Sequence, residues 1–171
     1  AEAGWNAMAK NNAPAQFKPA KDMVVTDGQK LTLGDVTLML YLTPGHSAGD
    51  ISVLISPLKD GNQKHVGSLF SGRGWGGPEL TNGVPYYKTE LEGIKLWGAS
   101  ARRYRGLAES AGADVLLSKH DSWDRTFDKL NALKFRRPGD PHPFVSKTVV
   151  GRYQTIVSEC MDAQLAWRSG K

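Results

Sequence analysis

The sequence predicts an α/β (α+β) chain in which a mixed sheet is covered by helices on one side. Short apolar runs separated by glycine turns fill residues 23–70, as in a series of strands. From Lys88 onward apolar residues recur every three or four positions, as in amphipathic helices. One short buried strand interrupts these helices, so the sheet and its helical cover form layers. A length of 171 residues suits a single domain, 1–171.

The first half is predicted to fold as a meander of strands. Residues 2–10 favour a short helix that ends before a proline-containing segment. The turns that follow contain Asp27-Gly28, Gly34-Asp35 and Pro44-Gly45, which stop one strand and let the next begin. The predicted strands are Met23–Val25, Lys30–Leu33, Val36–Leu42, Ile51–Ile55 and His65–Phe70.

The second half is predicted to be mainly helical. A glycine-rich loop, "SGRGWGGPELTNGVPYY" over residues 71–87, precedes it, and loops of this length are usually functional or mobile. The predicted elements after the loop are a helix over Lys88–Ala111, a buried strand over Asp114–Leu117, a helix over Asp124–Phe135 and a helix over Ser146–Trp167.

Composition excludes several classes of protein. The single cysteine, Cys160, excludes an internal disulfide and a cysteine-rich zinc site. No apolar run reaches the roughly 18 residues of a membrane span. The net charge of +5 comes partly from "ARRYR" and "KFRRPGD", which lack the aromatic interleaving of nucleic-acid motifs. We therefore expect solvated helix faces there, and neither a membrane nor a nucleic acid as partner.

Two of the four histidines are candidates for chemistry. His46 and His120 each follow a predicted strand, and sheet proteins with helical cover build sites in such loops. His65 and His142 are predicted to be surface residues. The glycines of "SGRGWGG" satisfy G-x-G-x-x-G, but turn-forming residues follow instead of a helix, which excludes a dinucleotide site. Ser47 is not paired with His46 as nucleophile and base, because neighbouring residues rarely face each other.

The segment "DGQKLTLGDVTLMLYLTPGHSAGDISVLI" resembles the metallo-β-lactamase superfamily, most closely the subclass B3-type enzymes. That family shows a D-G-x-x-L-x-L-G hairpin, a strand and T-P-G-H-[ST]-x-G. The resemblance implies that His46 is a zinc ligand, that His120 in "LLSKHDSW" holds a second zinc, and that Ser47 shapes the loop. It also implies the C-terminal half of an αββα sandwich, and thus a portion of a longer domain.

Two departures from the family pattern accompany this resemblance. The H-x-H-x-D-H motif, which supplies four ligands, is absent from all 171 residues. The metal-bridging position falls at Gly72 or Arg73, and neither residue offers a ligand. A zinc site needs about three protein ligands, so the chain alone is expected to bind zinc weakly or not at all and to hold no catalytic residue of its own. The missing half or a second copy is the expected partner.

The leading hypothesis is a zinc-dependent hydrolase with one or two ions in the intact protein and a small-molecule substrate. Arg73 is predicted to anchor a substrate carboxylate, Trp75 to form an apolar wall, and Ser47 to contact substrate. Lactams, lactones, thioesters and sulfate or phosphate esters all remain open as substrates. The alternative is a catalytically inactive module for binding or assembly. By resemblance, the expected location is periplasmic or secreted.

Overall fold

A computed structural model describes residues 23–72 and 86–170 of the chain. Within these ranges the chain forms a five-stranded mixed sheet, and the helices follow the first four strands in the sequence. The strands are β1 (Gln29–Leu33), β2 (Val36–Leu42), β3 (Ile51–Asp60), β4 (Gln63–Leu69) and β5 (Val115–Leu117). The helices are α1 (Glu90–Ser110), α2 (Asp121–Asp124), α3 (Thr126–Leu133) and α4 (Val149–Ser169). The predicted α/β (α+β) class is confirmed.

The sheet order is β1-β2-β3-β4-β5, with three antiparallel pairs followed by one parallel pair. Parallel pairing of β4 with β5 requires a crossover, and α1 supplies it. In the register, Leu42 pairs with Ile51, Val53 with Leu69, and Leu69 with Leu117. The loops after β2, β4 and β5 therefore lie at the same end of the strands, and we call this end of the sheet the loop edge.

Some predicted boundaries are wrong. Met23–Val25 is not a strand. The segment after Ile55 continues β3 to Asp60, because the hairpin resumes beyond a register shift between Ile55 and Leu58. Pro57, which cannot donate to a ladder, lies within that irregular stretch. The predicted helix over residues 2–10 and most of the glycine-rich loop lie outside the described residues.

The helical region also divides differently from the prediction. The helix predicted over Asp124–Phe135 is α3, and the loop predicted before it contains a further helical turn, α2, which Arg125 separates from α3 by adopting a left-handed conformation with φ of 57°. Helix α1 begins at its cap Thr89, whose hydroxyl accepts from the Glu92 N–H at 3.2 Å. No helix in the described ranges is long and apolar enough to cross a membrane.

The two faces of the sheet have different surroundings. One face packs against α1 and α4 through a core that includes Leu54, Phe70, Trp97, Tyr104 and Val157. The residues of the other face are identified by the alternation of side chains, since every second residue of a strand points to the same face. This face carries several half-buried apolar residues together with the buried Leu40; the half-buried ones include Leu31, Leu38, Val53, Ile55, Leu69 and Leu117.

Candidate functional site

The loop that carries His46 joins β2 to β3 at the loop edge and is closed by its own hydrogen bonds. The Thr43 N–H donates to the Asp50 carbonyl at 3.0 Å. The Ser47 N–H and hydroxyl donate to the two Asp50 carboxylate oxygens at 2.8 and 2.7 Å. Asp50 thus holds the residue after His46 in place. The Ser47 hydroxyl donates its proton to Asp50. The predicted contact between Ser47 and substrate stays a prediction.

Helix α1 packs against the same loop. The Ser100 hydroxyl donates to the Pro44 carbonyl at 2.7 Å. A Cβ added at Gly45 would lie 2.2 Å from Cβ of Trp97, so only glycine fits there. The Trp97 indole, 1% exposed, lies 5.8 Å from the His46 ring between centroids. The Pro-Gly turn before His46 is therefore fixed against a rigid core residue.

His46 itself is half-buried between Trp97 and the loop that follows β4. A Cβ added at Gly72, whose φ is 81°, would lie 2.6 Å from Cβ of His46. The His46 Nδ1 atom is buried and has no hydrogen-bond partner within the described part of the chain. A buried ring nitrogen left without a partner is costly, and a metal ion is one group that removes that cost.

Buried side chains with hydroxyl groups form a hydrogen-bonded chain next to the His46 loop. The Thr43 and Ser52 hydroxyl oxygens lie 2.7 Å apart, and the Ser71 N–H donates to the Ser52 hydroxyl at 2.9 Å. The Lys119 ammonium then reaches the Ser71 hydroxyl at 3.5 Å. These contacts tie the ends of β2, β3, β4 and β5 together at the loop edge.

His120 lies at the same edge but is exposed. Its N–H donates to the Ser118 hydroxyl at 3.2 Å, and it precedes the first turn of α2. Among the described residues, no group of three or more His, Cys, Asp or Glu side chains is arranged to hold a metal ion. A zinc site is therefore not complete within 23–72 and 86–170, and His46 fits as one ligand of such a site.

Arg73 and Trp75, the predicted substrate contacts, lie outside the described residues. Sequence reasoning missed Tyr87, which is half-buried beside the His46 loop. Burial and the negative charge of Asp50 raise the pKa values of both Tyr86 and Tyr87, so these phenols stay protonated at neutral pH. The "YY" pair at the end of the glycine-rich segment was the available signal.

His65 does not lie on the surface as predicted, whereas His142 is still partly exposed. The His65 side chain is only 10% exposed, and its Nδ1 lies 2.7 Å from an Asp114 carboxylate oxygen. His142 is half-buried, and its Nδ1 accepts from the Phe144 N–H at 3.3 Å. His65 is the third residue of β4, near the end of the sheet opposite the loop edge, so it takes no part in the His46 site.

The basic clusters are largely paired with carboxylates. Arg102 pairs with Asp162, Arg103 with Asp27, and Arg105 with Glu109. In the second cluster, Arg136 makes two contacts with Asp60 at 2.8 and 2.7 Å. The Arg102 and Arg136 pairs link separate elements of the fold, whereas the Arg105–Glu109 pair lies within α1.

A cavity of about 790 Å³ lies between the end of α1 and the start of α4. Its lining includes Arg105, Glu109, Lys147 and Arg152, and none of the candidate site residues. The cavity and the His46 site are thus separate places in the fold.

Comparison with protein-family models and with curated proteins gave no match. Solved structures do match. BJP-1, a subclass B3 metallo-β-lactamase of Bradyrhizobium japonicum, is 29% identical with a TM-score of 0.64, and the match covers 87% of this chain and 52% of that one. A metallo-β-lactamase of Cronobacter sakazakii with a HARLDQ motif is 28% identical with a TM-score of 0.63, over 88% of this chain and 52% of that one.

FEZ-1 of Legionella gormanii has a TM-score of 0.64 at 23% identity, over 88% of this chain and 53% of that one, and it supports the fold alone. The chain spans about half the length of each of these proteins. Its mixed sheet with helices matches theirs. The resemblance to the metallo-β-lactamase superfamily, and to subclass B3 and related enzymes in particular, is therefore confirmed over 87% of the chain.

Proposed function

We propose that this chain supplies the His46 part of the active site of a zinc-dependent hydrolase of the metallo-β-lactamase kind. The observation that carries the proposal is the His46 side chain, held by the Pro-Gly turn over Trp97 with a buried Nδ1 that no described residue contacts. When bound at such a site, zinc supplies an activated water for hydrolysis. The contribution of this chain is to orient His46.

The remaining ligands of the zinc ion at His46 are proposed to come from residues outside the described ranges. The match with this chain covers only 52% of each of these structural relatives, so each relative contains a further part that this chain does not match. The half-buried apolar face of the sheet, with Leu38, Val53 and Ile55, suits contact with another layer. His120 lies at the loop edge and is proposed as the ligand of a second metal, a role that its exposure allows.

The second candidate is a catalytically inactive module for binding or assembly. It is favoured by one observation, the lack of a three-ligand group in the described part of the chain. In that case His46 would be a packed loop residue on Trp97 and nothing more. The substrate and the compartment are not constrained further by the geometry.

Zinc analysis of the whole protein separates the two functions. After equilibrium dialysis against zinc, the protein is expected to retain at least one ion, and His46→Ala is expected to lose it. His142→Gln is the matched control, because His142 lies near Asp60 at the opposite end of the sheet. Zinc retained equally by His46→Ala and the control would remove His46 from the site, and no zinc in the wild-type protein would favour the inactive module.

A further inference from the structure

The cavity between the end of α1 and the start of α4 is large enough to hold a small molecule. Its volume of about 790 Å³ lies within the range of about 300–1,000 Å³ that small-molecule sites occupy. Ala113 and Asp114, which line the cavity, directly precede β5. The cavity therefore lies at the end of the sheet opposite the loop edge, and a ligand held there would be separate from a substrate at His46.

One wall of the cavity is the guanidinium group of Arg105, which joins α1 to α4. Its Nε donates to the Glu109 carboxylate at 2.7 Å, and its Nη1 donates to the Thr155 hydroxyl at 2.8 Å. The Thr155 hydroxyl in turn donates to the Gly151 carbonyl at 2.9 Å. Because a guanidinium group has five N–H donors, Arg105 is held in position and still has donors left for a ligand.

The two acidic side chains of the lining already have partners. Glu109 pairs with Arg105. One Asp114 carboxylate oxygen lies 2.7 Å from the His65 Nδ1 atom, and the other accepts from the Val66 N–H at 3.1 Å. Neither carboxylate is therefore left without a partner at the cavity.

Two cationic side chains of the lining, those of Lys147 and Arg152, have no carboxylate partner among the described residues. Neither forms any of the ion pairs found within residues 23–72 and 86–170. Both lie at the α4 side of the cavity, together with the apolar side chain of Ile156, which is 55% exposed. The cavity thus combines an excess of positive charge with an uncovered apolar surface.

We propose that this cavity binds a phosphate monoester with a small apolar group, and that Lys147 and Arg152 hold its phosphate. A phosphate monoester carries about two negative charges at neutral pH, which two cationic side chains match. The planar fork of an arginine also donates two parallel N–H bonds to phosphate oxygens. A carboxylate, with its single charge, would leave one of the two cations unmatched.

The apolar group of the ligand would cover Ile156, since burial of exposed apolar surface favours binding. Two glycines keep the space open. The Cβ position of Gly112 has no atom within 4 Å, and a Cβ added at Gly151 would lie 2.7 Å from Oε1 of Glu109. A side chain at Gly151 would therefore displace Glu109, which holds Arg105 in position. The site lies away from His46 and does not depend on zinc there.

The test is a titration of the whole protein with phenylphosphonate, which resists hydrolysis, followed through the NMR amide shifts of Gly112 and Gly151. Inorganic phosphate and benzoate are titrated in parallel, because the first lacks the apolar group and the second lacks the phosphate charge. Lys147→Gln and Arg152→Gln are each expected to raise the phenylphosphonate Kd about fivefold, as for a partly exposed ion pair. Arg137→Gln, which removes an exposed arginine that does not line the cavity, is the matched control.

Saturable shifts of both glycines, with tighter binding of phenylphosphonate than of the two parallel ligands and weaker binding in the two cavity variants but not in the control, support the site. An absence of saturable shifts at both glycines, or an equal Kd in Arg152→Gln, would overturn it. Benzoate binding as tight as phenylphosphonate would overturn the phosphate class, and inorganic phosphate binding as tight would overturn the apolar group. Since the reporter glycines lie away from His46, a negative result here leaves the zinc-dialysis result intact.

Discussion

The Cβ atom of Trp97 occupies the space that a side chain at Gly45 would need, with only 2.2 Å between the two Cβ positions. The same indole lies 5.8 Å from the His46 ring. The contact joins Trp97 of α1 to the turn that orients His46, the candidate zinc ligand. The glycine of the T-P-G-H sequence is thus required by packing as well as by its φ of 154°.

Gly45→Ala is expected to destabilise the protein by about 3 kcal/mol, because it adds a clash with Trp97 to backbone strain. Thermal unfolding followed by circular dichroism measures this change. Gly34→Ala is the matched control, since Gly34 also has positive φ, 60°, but open space around its Cβ position. It should cost only about 1 kcal/mol. Equal losses in the two variants would contradict the packing argument.

Asp50→Ala is expected to lower stability by about 2 kcal/mol, since both Ser47 donors lose a charged acceptor. The variant should also weaken zinc binding by the whole protein, because Ser47 follows His46. Chemical denaturation and zinc dialysis give the two readouts. Asp35→Ala is the matched control, because it removes an exposed pair with Lys59 and should leave stability nearly unchanged. An Asp50 variant that behaved like the Asp35 control would show that the loop holds without its carboxylate.

The Asp60–Arg136 pair predicts a contribution to acid stability. The Arg136 guanidinium lowers the pKa of Asp60 below its ordinary value of 3.8. A carboxyl group with a depressed folded pKa stabilises the fold above its unfolded pKa, and that contribution is lost as pH falls through the folded pKa. Asp60→Asn should therefore be less stable than wild type at pH 7. The difference should shrink as pH falls below 3.8. Parallel stability curves from pH 7 to pH 2 would contradict this role.

Gln154 in α4 is fully buried, and neither amide atom has a hydrogen-bond partner within the described ranges. Gln154→Met keeps the volume and removes the unsatisfied amide, so stability should rise by about 1 kcal/mol. Gln164→Met is the control, because Gln164 accepts from Arg168 at 2.9 Å and is only half-buried. A loss of stability in Gln154→Met would mean that the amide is satisfied in solution, for example by a buried water.

The strands near the site could be predicted because local signals define them. Alternating apolar residues and the Pro44-Gly45 stop give the limits of β2 without error. The extension of β3 was missed because Pro57 and the charged "LKDGNQK" look like a loop, whereas Leu58–Asp60 pair with Gln63–His65 across the hairpin. That pairing depends on the partner strand, which local sequence does not reveal.

The site was predictable only in part, for a similar reason. The Pro-Gly turn before His46 identified this residue as a candidate, and its position after a predicted strand indicated at which end of the sheet it lies. Nothing local distinguishes Lys119 from any other lysine, because its contact with Ser71 depends on the parallel register of β4 and β5. The burial of His65 likewise depends on Asp114, 49 residues away in the sequence.

The central claim is that His46 binds zinc, and its ring nitrogens report this directly. A long-range ¹H–¹⁵N spectrum of the histidine rings of the whole protein is recorded before and after one equivalent of zinc. We predict that the His46 nitrogen signals shift, while those of His65 and His142 stay unchanged. Unchanged His46 signals in a sample that has taken up zinc would contradict the account.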